Sequence, residues 1–67
     1  MAIKAQVGEM AGEVWELLAS DGPLTPAQLK MKLNAPVEIL SYALGWLARE
    51  DKIEFIAEKK TLLVQLK

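Results

Sequence analysis

The chain has no cysteine and no histidine among its 67 residues. No disulfide can staple the fold, and no Cys/His set can hold a structural zinc. The nucleophile–base pairings that activate a serine or a thiol are missing too. Arginine occurs once, at Arg49, and 8 basic residues face 9 acidic ones, for a net charge of −1. A small nucleic-acid-binding domain ordinarily carries a basic excess, because phosphate contacts supply most of its non-specific affinity. No apolar run approaches the roughly 18 residues needed to span a bilayer. The opening MAIKAQVGEM lacks the charged-then-apolar order of a signal peptide. Together with the missing cysteine, this makes the cytoplasm the expected location.

These absences exclude most chemistry. The hydroxyls of Ser20, Thr25, Ser41, Tyr42 and Thr61 have no neighbouring base in sequence. The adjacent carboxylates Glu50 and Asp51 suit a helix end better than acid–base work. No phosphate-cradling glycine loop and no metal-ligand spacing occurs. The expectation is a protein that is not an enzyme, with no catalytic residue, cofactor, metal or small-molecule substrate.

What the chain does have is apolar residues, 52% of the total. A chain this short is expected to be one domain, 1–67, and buries only about 60% of its unfolded surface on folding. Either it packs well alone, or part of its apolar surface is covered between subunits.

Over 5–19, Val7, Met10, Ala11, Val14, Trp15, Leu17 and Leu18 recur at helical spacing, opposite Gln6, Glu9, Glu13 and Glu16. Gly8 and Gly12 lie four apart, each costing about 1 kcal/mol relative to alanine. They are read as close packing within the chain, with a helix–helix approach as the alternative. Asp21-Gly22-Pro23 stops this helix, and Leu24, alone between turns, suits a short strand contact. Thr25-Pro26-Ala27-Gln28 is a capping box with proline at the first helical position. The second helix runs to Leu33, burying Leu29 and Leu33, and Asn34 supplies a left-handed end.

A third helix occupies most of 36–53. At about 100° per residue, Val37, Leu40, Ala43, Leu44, Leu47 and Ala48 gather on a core face. Glu38, Tyr42, Gly45 and Arg49 point away, while Ile39 and Trp46, seven apart, form a second apolar flank. Asp51 can take the left-handed turn that ends it. The period then changes to two. Ile53, Phe55 and Ala57 alternate with Glu54, Ile56 and Glu58; beyond Lys59-Lys60, Leu62, Val64 and Leu66 alternate with Leu63, Gln65 and Lys67. Two antiparallel strands joined by a charged turn are expected, with Ile56 and Leu63 on the nominally outer side.

Three helices followed by a two-stranded antiparallel β-hairpin is the winged helix-turn-helix plan, an α+β fold. VWELL at 14–18, GPLTPAQLK at 22–30 and above all ALGWLAREDKI at 43–53 resemble a small family of prokaryotic winged helix-turn-helix domains of unknown function. The resemblance spans nearly the whole chain and implies architecture, with no ligand or catalytic residue to transfer. Pro36, in place of a polar cap, and a hairpin turn without glycine depart from the family pattern.

Two functions compete. Protein association, with a second copy or another protein, would use Ile39, Tyr42, Gly45 and Trp46 on the third helix, since aromatic residues enrich interface centres. In the alternative for Trp46, the indole is simply core. DNA binding would place the third helix in the major groove and the hairpin along the backbone. Lys30, Lys32, Lys59 and Lys60 would then meet phosphates, and Ser41, Tyr42 and Arg49 would face the groove. Most of that helix face lacks the Arg, Lys, Asn or Gln that read bases bidentately, so protein association stands ahead.

Overall fold

The computed structural model describes residues 3–67; Met1 and Ala2, part of the N-terminal stretch read above for a leader and of the domain range, lie outside them. The elements are α1 (Ile3–Asp21), α2 (Pro26–Leu33), α3 (Val37–Arg49), β1 (Ile53–Glu58) and β2 (Thr61–Leu66). The winged helix-turn-helix reading holds in every element.

Local chemistry explains each boundary. Gly22 takes φ 83° and donates its N–H to the Leu18 carbonyl at 3.0 Å, closing α1. The capping box at α2 is complete. Gln28 N–H donates to the Thr25 hydroxyl at 3.1 Å, and the Gln28 side-chain oxygen accepts from Thr25 N–H at 2.9 Å. Asn34 ends α2 at φ 50°, and Asp51 turns the chain out of α3 at φ 61°. Pro36 begins α3 without a side-chain cap, but its carbonyl still accepts from Leu40 N–H at 3.0 Å.

β1 and β2 pair in register Ile53↔Leu66, Phe55↔Val64 and Glu58↔Thr61. Leu24 joins the other side of β2. Its N–H donates to Val64 O at 3.0 Å and its carbonyl accepts from Val64 N–H at 2.7 Å. Both polar groups of Val64 are therefore spent on Leu24, and the hairpin is stitched to the start of α2.

The core lies where α1 crosses α3 above the hairpin root. It joins Ala11, Val14 and Leu18 to Leu40, Ala43, Leu44 and Leu47, and is closed by Leu24, Leu29, Ala35, Ile53 and Val64. Val14, Leu29, Ala43 and Val64 are wholly inaccessible. Beyond Ile53 and Val64 the hairpin outruns the helices. Phe55 and Leu62 on its inner face are consequently exposed, while Ile56 and Leu63 on the outer face are half-buried.

Two expectations are corrected. Val37 is exposed, whereas Ala48 is half-buried and still packs against the core. On the helical wheel both lie roughly 70–90° from the centre of the Leu40–Leu47 stripe, at its margin. Trp15 is 45% exposed, not part of the buried face of α1. It sits one step of about 100° past Val14, which turns it out of the seam.

Candidate functional site

The exposure of Trp15 and Trp46 brings the two tryptophans to one place. Gly8, Ala11, Gly12, Trp15 and Glu16 of α1 face Trp46 and Leu47 of α3 across a groove of about 640 Å³. Asp51, Lys52 and Lys67 close one end of it. Helical side chains lean toward the N-terminus, so Trp15 inclines over the turn that contains Ala11 and Gly12. Trp46 is 48% exposed and lies outside the buried core.

The glycines on the α1 wall are not packed within the chain. A Cβ placed on Gly8, Gly12 or Gly45 would meet nothing within 4 Å. Close intrachain packing, the expectation for Gly8 and Gly12, is thereby corrected. Each still carries the helix-interior penalty of about 1 kcal/mol, with no contact inside the protomer to offset it.

Charge at the groove is mixed. The Lys67 ammonium and the Asp51 carboxylate form a hydrogen-bonded ion pair. That hydrogen bond, reinforced by the Asp51 charge, holds the Lys67 pKa above the ordinary lysine value. Among the described residues, Glu16 and Lys52 form no ion pair.

The residues singled out on α3 divide. Tyr42, 56% exposed, precedes Trp46 by one helical turn, and Gly45 is exposed beside them. Ile39 is half-buried and opens into a separate cleft with Gln6, Glu9, Met10, Glu13 and Pro36. α1 turns a different flank to each, Gly8, Gly12 and Trp15 to the groove and Gln6, Glu9 and Glu13 to the cleft, so Ile39 and Trp46 open into separate depressions.

The nucleic-acid candidates are scattered over α2, α3 and the hairpin turn. Lys30, Arg49, Lys59 and Lys60 are exposed. Lys32 lies 3.6 Å from the Asp21 carboxylate and is partly neutralised. Ser41 donates its hydroxyl proton to the Val37 carbonyl at 2.8 Å, which leaves it only as an acceptor for a base edge.

Trp15 is the residue that periodicity alone misses. A signal for it exists, since Gly8 and Gly12 lie seven and three positions before it on the same face. Large beside small on one helix face marks a groove wall.

Two comparisons with known proteins agree with this architecture. The family described as winged helix-turn-helix domain (DUF2582) matches residues 1–66. The uncharacterized protein MJ1608 of the archaeon Methanocaldococcus jannaschii is 35% identical over 65 residues, covering 92% of this chain and 91% of its own length. With three helices, a wing and a match along nearly all of its length, the chain belongs to the winged helix-turn-helix family DUF2582.

Proposed function

We propose that the domain is a non-enzymatic module that works through protein association, with Trp46 and Trp15 as its anchors. The observation that carries this reading is the pairing of two half-exposed tryptophans on opposite walls of one groove. Tryptophan is enriched among interface hot spots, and half-exposed indoles on facing walls suit a partner's apolar side chains. The uncompensated glycines of α1 fit the same role, because a partner's backbone can approach where no Cβ intervenes. Phosphate binding has weaker support. Of its four lysines, two on α2 and two in the hairpin turn, one is engaged by Asp21, and the outward face of α3 carries Arg49 as its only cation.

Photo-crosslinking in the cell tests this choice. Tyr42→p-benzoylphenylalanine puts the probe on α3 beside Trp46, and Lys60→p-benzoylphenylalanine puts it on the wing. Association through the groove predicts protein adducts at position 42 that disappear when Trp46→Ala is added. Nucleic-acid adducts at both positions, without Trp46-dependent protein adducts, would establish the DNA reading instead.

A further inference from the structure

We infer that the occupant of the groove is a second copy of this chain, docked about a two-fold axis so that each α1 packs across the other's Trp15–Trp46 groove. This rests on the protein-association reading and names its partner. The first ground is charge. Glu16 stands on the α1 wall and Lys52 beyond the end of α3, and among the described residues neither has an ion-pair partner, whereas Asp51 and Lys67 satisfy each other. The four charged residues at the groove sum to zero, two acidic and two basic. A two-fold contact matches a surface with itself and needs this kind of self-complementarity. In such a pair Glu16 of each protomer is available to Lys52 of the partner subunit, giving the contact twice.

The second ground is shape. In an isologous contact the same stripe lies on both sides of the axis, so Gly8 and Gly12, one turn apart, remove Cβ atoms from both helices where they cross. The third is size. A standard interface takes about 800 Å² from each partner, roughly a sixth of the 4712 Å² this protomer exposes. The 19-residue α1, about 28 Å long, offers a face of suitable length with an indole on either side of the groove.

Sedimentation equilibrium of the full chain over a roughly hundredfold dilution tests the inference. The expected mass at the concentrated end is twice the 7.4 kDa protomer. Glu16→Lys and Lys52→Glu should each weaken the dimer about tenfold or more, and the double swap should recover most of the loss. Gly12→Leu should abolish the dimer while circular dichroism in dilute solution still reports a folded protomer. A protomer mass at every concentration would overturn the second copy, and a dimer indifferent to all three substitutions would overturn its placement. Failure here is separable from failure of the broader reading. A monomeric protein whose Tyr42 probe still gives Trp46-dependent adducts with another protein refutes only self-pairing, whereas a monomer without such adducts refutes both.

Discussion

Replacing Gly12 by alanine separates two roles that a helix-interior glycine can have. The residue lies at the midpoint of α1, nine positions from Ile3 and nine from Asp21, so the whole helical propensity difference applies. Alanine is favoured there by about 1 kcal/mol, partly through a less flexible unfolded chain. No steric term reduces this gain, because the new Cβ meets nothing within 4 Å. For a domain of this size, 1 kcal/mol corresponds to a rise in Tm of about 4–8 °C. The assay is thermal unfolding followed by circular dichroism, in solutions dilute enough to hold the protomer alone and again at high concentration. Tm should rise by the stated amount in the dilute sample. At high concentration the gain should shrink or reverse, because in the proposed dimer the added methyl groups would hold the two α1 helices apart. A lower Tm in dilute solution would refute the open space beside Gly12. An equal gain at both concentrations, in a protein that does dimerise, would remove Gly12 from the contact.

Two other consequences concern the rest of the chain. Lys59 sits at φ 47° in the hairpin turn, a conformation that costs an L-residue roughly 1–2 kcal/mol. Lys59→Gly should therefore raise stability to urea by about 0.5 kcal/mol after glycine's own entropic cost, and a destabilised variant would contradict that turn geometry. The raised pKa of Lys67 gives a pH dependence of definite sign. Because the folded value exceeds the unfolded 10.5, the stabilisation is complete below 10.5 and disappears as pH climbs through the folded value. The small stability difference between wild type and Asp51→Asn should thus be flat from about pH 7 to about pH 10 and shrink above that. Asparagine is the appropriate substitute because it also tolerates the left-handed backbone at position 51.

The parts of this fold that the sequence announces are those governed by a local rule. The capping box at Thr25 and Gln28, the left-handed exits at Asn34 and Asp51, and the change of period after Lys52 are each set within a few residues. Even the lone Leu24 contact was legible, since an apolar residue held between two turns has little other use. Errors arose where burial depends on how far a neighbouring element reaches. Val37 fits the apolar stripe of α3 but lies at its margin. Phe55 has the correct alternation, yet the hairpin extends past the helices that would cover it. Periodicity gives the direction of a side chain and says nothing about whether anything stands opposite.

The site was half legible for the same reason. Trp46 could be placed on a flank of α3 from its own helix, but the opposite wall belongs to α1, and no rule local to either helix joins them. What joins them is the packing of α1 against α3 in one core, a tertiary fact. That packing assigns Trp46 to one side of α1 and Ile39 to the other, so two residues seven apart on one helix do not share a surface. It also determines what a partner can meet. On the Trp46 side it finds two indoles with Gly8, Ala11, Gly12 and Leu47 between them and both signs of charge at the margins; on the Ile39 side it finds Glu9 and Glu13 around a smaller cleft of about 210 Å³, with no cation among the described residues that line it. Desolvating Glu9 and Glu13 without a cationic partner is costly, whereas the tryptophan groove carries Lys52 as well as Glu16, and covering its indoles removes apolar surface at a gain of about 25 cal/mol per Å². The proposed association therefore uses the tryptophan side, where the helix crossing sets the two indoles on facing walls.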